Sequence, residues 1–350
     1  MARLSKGEKL LAGAWAGFIL LVASLSLWVV AGGPPPRPIA NLADATPNRA
    51  LEAAPAHDGE EAAALPPVAQ DDEAPPPAVA SDLSLAPVSE ALSETTPRGA
   101  LPRISDDGRE PWRVYAAPAP PDDGRPRIAV MLTALGLNQA AGEAAIAKLP
   151  PAISFAFSPY GRDLPDWAHK ARAKGHEIFL MVPMEPLRYP ENDPGPQSLL
   201  RSLSPADNIA RLNEVMTRFA GYVGIVNDMG SAFTANEAAM RPVLQELKNR
   251  GLMFIDARST NYSVAASLAG QMAVPVAVNN RFIDETPSAD EVRRMLLELE
   301  TTAQTLGNAV GFARPLPLSI EAIATWSAGV GERGLSLVPV SAIANRQPVR

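Results

Sequence analysis

Six polar residues that follow apolar runs of the chain have side chains suited to catalysis or ligand binding. They are Glu185, Asn227, Asp228, Asp256, Arg258 and Arg314. Carboxylates can transfer protons or ligate Mg²⁺ and Ca²⁺, whereas amides and guanidinium groups bind hydroxyls and anions. The sequence therefore offers these six residues as ligand-binding candidates, and Asp284 could join Glu185 and Asp228 in an oxygen-rich metal site.

Several of these candidates allow a structural as well as a functional interpretation. Asp256 and Arg258 could form a buried salt bridge that closes the top of a barrel, or a pair that binds a sugar or a carboxylate. Asn227 and Asp228 could hydrogen-bond ligand hydroxyls or only cap the turn that follows them. Arg314 could bind an anion such as a carboxylate or a phosphate.

Residue counts exclude several other kinds of chemistry. The chain has no cysteine, which rules out thiolate catalysis and disulfides. Its three histidines are His57, His169 and His176, and because none follows the end of a predicted strand, no histidine-based zinc site is expected. Residues 127–350 contain 21 acidic and 21 basic residues, and this balance argues against nucleic-acid binding.

The elements that must position the candidates are apolar runs alternating with amphipathic stretches from Arg127 onward. The runs Ile128–Leu132, Ile178–Val182 and Leu252–Asp256 predict strands, and stretches such as Asn138–Lys148 predict the helices between them. Strands that alternate with helices indicate a parallel sheet covered on both sides. Seven or eight strands favour a β/α barrel over an open doubly wound sheet, with the candidates at the carboxyl ends of the strands.

The chain is predicted to have five parts. These are a basic cytoplasmic tail (1–9), a transmembrane anchor (10–31), a disordered linker rich in Pro, Ala and acidic residues (32–126), the globular domain (127–345) and a short tail (346–350). Residues 10–31 carry no charge and follow three basic residues, so we expect one pass through the cytoplasmic (inner) membrane and a periplasmic or extracytoplasmic domain. A signal peptide cleaved after Ala31 is the alternative.

Four blocks of the predicted domain carry a family resemblance. They read GHEIFLMVPMEP from Gly175, YPENDPGPQSLL from Tyr189, GYVGIVNDMGSAFT from Gly221 and GLMFIDARST from Gly251. Together they resemble the divergent polysaccharide deacetylase family over about residues 127–345. The resemblance implies a distorted parallel β/α barrel of the glycoside hydrolase/deacetylase type. Related carbohydrate esterases remove N-acetyl groups from glycans with a divalent metal, usually zinc.

The positions at which this family carries its catalytic groups hold other residues here. The resemblance places the catalytic base and a metal-binding aspartate at Thr133 and Ala134, and the two histidine ligands at Met181 and Glu185. Two further motif histidines are replaced by Asp228 and Arg314. A thioether is a poor zinc ligand. We therefore expect no cofactor, although a divalent metal would be needed if the protein were active.

Three hypotheses follow from the resemblance and the lost positions. The leading one is a catalytically degenerate cell-envelope protein that binds a cell-wall glycan or an envelope protein, where Tyr160, Tyr189 and Trp167 could stack on sugar rings. The second is an active carbohydrate hydrolase or deacetylase with a rebuilt site of Glu185, Asp228 and Asp256. The third is a scaffold for cell-wall assembly that contacts only proteins.

Overall fold

The structure is a computed structural model that describes residue 85 and residues 87–348, which form an α/β domain. The strands are β1 (Ser93–Thr96), β2 (Gly99–Pro102), β3 (Arg127–Leu135), β4 (Ser154–Phe157), β5 (Ile178–Met184), β6 (Gly224–Met229), β7 (Met253–Asp256), β8 (Val276–Val278), β9 (Arg281–Phe282), β10 (Asn308–Ala313) and β11 (Ser336–Leu337). The helices are α1 (Pro111–Val114), α2 (Gln139–Lys148), α3 (Leu164–Ala173), α4 (Pro205–Met216), α5 (Glu237–Asn249), α6 (Ala265–Gln271), α7 (Ala289–Leu306) and α8 (Pro317–Ala328).

The main sheet is parallel and curls into a half-barrel. Its strand order is β8-β7-β6-β5-β4-β3-β10-β9, and β11 adds to β3. Parallel strands end at a common edge, so the carboxyl ends of β3, β5, β6, β7 and β10 form one rim. All seven residues of β5 are buried, as expected for a strand covered on both faces.

Polar caps begin the longer helices where the sequence pattern predicts them. The side chains of Asn138, Ser204, Asn236 and Ser288 each accept a hydrogen bond from a backbone N–H in the first turn of their helix. This contact satisfies one of the donors that have no partner inside the helix. The helices therefore begin close to the predicted residues, and each returns the chain to the start of the next strand.

The two faces of the sheet bury different sets of side chains. The helix-covered face contributes Ile128, Val130 and Leu132 from β3, while the opposite face contributes Ala129 and Met131. The second face packs against residues from outside the repeating strand-helix pattern, namely Leu92, Tyr115, Val338, Val340 and Ile343. The concave side of the half-barrel is therefore a solid core and not a channel.

The expected closed barrel must be corrected, because the sheet ends at two strands that do not pair with each other. These are β8 and β9, and only Asn279 and Asn280 separate them in the chain. Two parallel strands that pair with each other need a crossover connection of about a dozen residues. The two-residue connection between β8 and β9 is too short for these strands to pair. Asn280 bridges the gap instead, since its N–H donates to Val310 O at 2.8 Å and its Oδ1 accepts from Val310 N at 2.9 Å.

Residues near the carboxyl terminus cover the free edge of β8. Asn345 Oδ1 accepts a hydrogen bond from Val276 N at 3.1 Å, and Asn345 N donates to Val276 O at 2.8 Å. Gln347 contributes two more hydrogen bonds, to the N–H and to the carbonyl of Val278, both at 2.7 Å. Gln347 thus belongs to the fold, although the sequence suggests a separate tail from residue 346.

The expected linker also needs correction, because residues 87–126 are ordered on the domain. They contain a 3₁₀ turn at Glu90–Leu92, the antiparallel β1-β2 hairpin and α1. Leu92 and Tyr115 are buried at 1% and 2% exposure, and the Tyr115 hydroxyl accepts a hydrogen bond from Ser89 N at 3.1 Å. The high proline content predicted disorder, but these apolar side chains bury enough surface to hold the segment in place.

The predicted single-pass membrane topology is not supported and is corrected here. Within residue 85 and residues 87–348, no helix is both long and apolar enough to cross a bilayer. The longest helix there is α7, whose 18 residues include six charged ones. The anchor predicted at residues 10–31 and the linker up to residue 84 lie outside the described residues.

A buried glutamate joins three separate segments at the amino-terminal end of the sheet. Glu177 Oε1 accepts hydrogen bonds from Ser154 Oγ at 2.7 Å and from Ser341 N at 3.0 Å. Its Oε2 accepts from Ala117 N at 3.3 Å and from the Ser341 hydroxyl. Burial raises the pKa of the Glu177 carboxyl, and the hydrogen bonds offset part of that rise.

We expect Tyr115→Ala to lower the free energy of unfolding by about 3 kcal/mol, because it removes a buried aromatic side chain from the core. Tyr262→Ala is the matched control, since Tyr262 is 81% exposed and its removal should change that free energy by less than about 0.5 kcal/mol. Urea unfolding of the two variants measures both values. Equal stability of the two variants would show that residues 87–117 are not part of the folded unit.

Glu177→Gln should reduce the dependence of stability on pH. The pKa of Glu177 in the folded protein is raised above the ordinary value of 4.5. Its contribution to the stability of the fold is therefore fully present below pH 4.5 and is lost as the pH rises through the folded pKa. One proton accounts for a slope of at most about 1.4 kcal/mol per pH unit. Urea unfolding between pH 4 and 8 should show a shallower fall for Glu177→Gln than for the wild type or the exposed control Glu321→Gln. A fall of unchanged slope would contradict the assignment.

Candidate functional site

The residues at the family's catalytic positions meet at the carboxyl rim of the sheet. Ala134, near the end of β3, adopts a left-handed backbone with φ of 56°. Its N–H donates to Met181 Sδ on β5 at 3.0 Å, while the neighbouring Thr133 hydroxyl donates to Ala313 O at 3.2 Å. Sulfur is a weak acceptor, so this contact fills the position and satisfies one amide without supplying a strong ligand. Ala134 and Met181, which the resemblance aligns with two metal ligands, are thus in direct contact.

These residues do not fit a zinc ion. A threonine, an alanine and a methionine offer one hydroxyl and one thioether, whereas zinc takes imidazole, thiolate and carboxylate ligands. Among the described residues, no three His, Cys, Asp or Glu side chains lie close enough to hold a metal ion. The oxygen-rich Mg²⁺ or Ca²⁺ site suggested for Glu185, Asp228 and Asp284 is thus not formed.

His176 lies at the opposite end of the sheet and has a packing role. It is fully buried, its Nδ1 hydrogen-bonds Ile153 O at 2.8 Å, and its ring stacks on Phe155 at a centroid distance of 4.0 Å. Burial lowers the pKa of the imidazole to about 4, so the ring is neutral at physiological pH. His176 therefore packs against the core and hydrogen-bonds the backbone.

Glu185 is held by an arginine that the sequence analysis did not identify. Its carboxylate accepts bonds from Arg201 Nε at 3.1 Å and Nη2 at 2.8 Å, and from Arg201 N at 2.5 Å. Both carboxylate oxygens of Glu185 are therefore engaged with one residue. Arg201 follows the loop that begins at Pro186, and no sequence pattern indicated that the loop would bring it back to the strand end.

Asn227 connects two neighbouring strand ends. Its Oδ1 accepts from Ala257 N at 2.8 Å, and its Nδ2 donates to Met229 O at 2.7 Å. The side chain is 1% exposed, which leaves no free group for a ligand. Of the two interpretations offered by the sequence, the turn-capping one describes Asn227.

Asp228 differs from Asn227 because it keeps a free carboxylate. The residue is half-buried on the rim, and within the described part of the chain its carboxylate makes no ion pair. Burial raises the pKa of Asp228, and a hydrogen bond from Met229 N offsets part of that rise. Asp228 is therefore available to hydrogen-bond a ligand that approaches the rim.

Asp256 and Arg258 do not form the expected salt bridge. Asp256 is 2% exposed, and its two oxygens accept from Arg258 N at 2.8 Å and from Ser263 Oγ at 2.7 Å. Burial raises the pKa of this carboxyl. Arg258 has φ of 53° and an exposed side chain, which forms no ion pair with Asp256 although its charge opposes part of that rise in pKa. Asp256 thus orders the turn before α6, and Arg258 faces outward.

Arg314 is paired with Asp284. Its N–H donates to Asp284 Oδ2 at 2.8 Å, its Nε lies 3.5 Å from Oδ1, and its Nη2 donates to the Asp284 carbonyl. The Ser319 hydroxyl adds a bond of 2.7 Å to the same carboxylate. The anion that Arg314 binds is therefore a buried residue of this chain.

The aromatic candidates divide between core and surface. Trp167 is 7% exposed and lies where a Cβ on Gly142 would approach its ring to 3.0 Å, which makes it a core residue. The Tyr160 hydroxyl sits against Gly195, where a Cβ would come within 2.2 Å, so only glycine fits that place in the loop. Tyr189 is 38% exposed. Tyr160 is half-buried at the wall of a cavity of about 660 Å³, so Tyr160 and Tyr189 both expose part of their rings.

Sequence reasoning missed four exposed apolar side chains at the strand ends or on the loops that follow them, Leu187, Tyr189, Met229 and Tyr262, which we call the apolar ridge. Their exposed fractions are 71%, 38%, 42% and 81%. Two serines tie the supporting loops together, since Ser231 Oγ accepts from Leu187 N at 3.0 Å and Ser259 Oγ donates to Met229 O at 2.7 Å. Isolated apolar residues are common on surfaces, but several on adjoining loops mark an interaction site.

A polar pocket of about 410 Å³ lies beside this ridge and was also not predicted. Residues that follow β7 and β8 line it together with β9, and they include Arg258, Thr260, Asn261, Arg281, Phe282 and Glu285. The only sequence signal was the cluster of Asn and Arg around the short β8-β9 connection. The exposed side chain of Arg258 thus lies at the wall of this pocket.

Comparison with known proteins places this geometry in a family. The chain is 28% identical over 176 residues to the uncharacterised protein YibQ of Escherichia coli (strain K12), a match covering 50% of this chain and 54% of that protein. It is 28% identical over 178 residues to an uncharacterised protein of Haemophilus influenzae, covering 51% and 63%. The matched part thus spans less than two thirds of each of these two relatives.

A solved structure and a family match agree with this result. The crystal structure of an uncharacterised protein from Agrobacterium tumefaciens C58 superposes with a TM-score of 0.68 at 36% identity, covering 70% of this chain and 99% of that one. Residues 130–344, more than half of the 350, match the family described as divergent polysaccharide deacetylase. The chain therefore belongs to the divergent polysaccharide deacetylase family.

Proposed function

We propose that this protein is a catalytically degenerate member of its family that binds glycans at the carboxyl rim of the sheet. The observation that carries the proposal is the contact between Ala134 N–H and Met181 Sδ. In the family resemblance these positions supply a metal ligand each, and here they bind each other. A deacetylase without a metal or a base has no means to activate water or to polarise the acetyl carbonyl.

The carboxylates elsewhere on the rim do not replace the lost groups. Glu185 engages both oxygens with Arg201, and Asp256 engages both with Ser263 and Arg258 N. A general acid or base must be free to exchange a proton with the substrate. Asp228 keeps a carboxylate with a hydrogen bond from Met229 N, but hydrolysis of a glycosidic bond commonly needs a pair of carboxylates close together. The alternative of a rebuilt hydrolase therefore has little support.

The apolar ridge supports binding as the retained activity. Tyr189 and Tyr262 present flat aromatic surfaces that can pack against the C–H faces of sugar rings, and their hydroxyls remain in water. Met229 and Leu187 extend the same surface, while Asp228 beside them can accept hydrogen bonds from sugar hydroxyls. Apolar faces with a few polar groups are the usual composition of a small-molecule site.

The protein should release no acetate from chitotetraose or from a peptidoglycan disaccharide in the presence of Zn²⁺, Co²⁺ or Mn²⁺. An assay for free acetate, with an active polysaccharide deacetylase as positive control, measures this. Metal-dependent release above the no-enzyme rate would contradict the proposal and revive the hydrolase interpretation.

Tyr262→Ala should weaken binding to whichever glycan the wild type binds by about tenfold, since a stacked aromatic contributes on the order of 1.4 kcal/mol. A glycan panel followed by titration calorimetry gives the affinities. Leu306→Ala is the control, because Leu306 is 42% exposed and lies at the other end of the sheet, just before β10. If no glycan binds the wild type, the protein-binding scaffold becomes the better hypothesis.

A further inference from the structure

The polar pocket beside the apolar ridge contains an arginine without an acidic partner. Arg258 is exposed at the pocket wall, and the nearby Asp256 carboxylate accepts only its backbone N–H. In the described part of the chain, no carboxylate lies within ion-pair distance of the Arg258 guanidinium group. A guanidinium group offers several N–H donors in a planar fork that matches a carboxylate.

A second arginine, Arg281, also lines the pocket. Arg281 Nη2 lies 3.2 Å from Glu298 Oε2, but its buried Nε–H has no acceptor among the residues that the structure describes. Because Arg281 is already paired with Glu298, Arg258 is the arginine of this pocket whose guanidinium group is open to a ligand. The Arg281 backbone is fixed by Asn279, whose Oδ1 accepts from Arg281 N at 3.2 Å.

The rest of the lining suits a sugar ring. Thr260 and Asn261 offer a hydroxyl and an amide, and Phe282 is 36% exposed with its ring held edge-to-face against Phe312 at 6.1 Å. Amides and hydroxyls can donate to and accept from sugar hydroxyls, and the phenyl ring supplies an apolar face. The pocket therefore combines groups for a carbohydrate with cationic donors for an anion.

We infer that this pocket recognises an acidic saccharide, one whose sugar ring carries a carboxylate. The inference rests on the glycan binding proposed above and names the chemical class of the ligand. The carboxylate lies against the Arg258 fork, and the Thr260 hydroxyl and the Asn261 amide hydrogen-bond other oxygens of the ligand. A single negative charge fits better than a phosphate dianion, because the pocket also contains the acidic Glu285, which makes no ion pair with either arginine.

Pairs of an acidic saccharide and its methyl ester measure the contribution of the carboxylate to binding separately from that of the sugar ring. Trigalacturonic acid and the N-acetylglucosamine–N-acetylmuramic acid disaccharide are each titrated into the protein beside their methyl esters, with chitotetraose as a neutral glycan. The wild type should bind at least one acid about tenfold more tightly than its ester, because a hydrogen bond to a charged group is stronger than one to a neutral group. Raising the salt concentration should reduce this difference.

Two pocket variants should move the affinity in opposite directions. Arg258→Gln should weaken binding of the acid by about 10-fold or more and leave the ester unchanged. Glu285→Gln should strengthen binding of the acid, because it removes a like charge from the pocket. Arg162→Gln, which removes an exposed arginine that does not line the pocket, is the control and should change neither affinity.

The outcomes distinguish this inference from the proposed function. Equal binding of acids and esters, binding of chitotetraose alone, or equal weakening of acid and ester by Arg258→Gln would overturn the acidic specificity and leave glycan binding intact. Failure of the wild type to bind any of the five probes would overturn both. Preference for an acid that depends on Arg258 and grows with Glu285→Gln supports both.

Discussion

A half-barrel leaves one concave face and two sheet edges without cover from the strand-helix repeat. The rest of this domain depends on the side chains and segments that cover that face and those edges. The strand-helix repeat covers only the convex face, so the concave face needs side chains from elsewhere. Leu92 and Tyr115 come from before the repeat, and Val340 and Ile343 come from after it. Glu177 binds both of these segments to β4 through hydrogen bonds to Ala117, Ser341 and Ser154. The segments before and after the strand-helix repeat are thus as important to the fold as the strands.

This filled interior explains how the ends of the strands keep their spacing when an apolar side chain lies between them. The concave core continues up to Met181, whose thioether reaches the turn at Ala134. A methionine can occupy an irregular space between strand ends because its side chain is long and unbranched. The strand ends therefore keep their spacing with an apolar contact where a metal would otherwise hold them. Ligand binding can persist at such a rim because the loops above it are tied by their own hydrogen bonds.

The sequence predicted the alternating strands and helices of the fold, but not the hydrogen-bond partners of the charged candidate residues. Apolar runs such as Ile178–Val182 are long enough to identify a buried parallel strand, and the motif spacing located Met181 and Ala134. The partner of Glu185 is 16 residues away across an irregular loop, and no periodic pattern encodes that contact. Spacing alone suggested that Asp256 would pair with Arg258. Asp256 instead accepts hydrogen bonds from Arg258 N and Ser263 Oγ, at a turn where Arg258 has a φ of 53° that residue type does not reveal.

Composition predicted the wrong amino-terminal boundary of the domain, because single contacts between side chains decide that boundary. Proline and acidic residues dominate the average over residues 87–126, while a few side chains such as Tyr115 decide whether the segment binds to the core. An average over a long window cannot detect so few contacts. The same limitation applied to Gln347, one polar residue whose amide group happens to match the edge of a strand.

The hydrogen bonds from Asn345 and Gln347 to β8 also set an order of events during protein synthesis. Because the ribosome makes the chain from its amino terminus, β8 exists for the time needed to add about 70 residues before the side chains that cover its edge emerge. During that interval the N–H and C=O groups of Val276 and Val278 are open to strands of other chains, and an open edge promotes aggregation. The short length of β8, three residues, limits this risk.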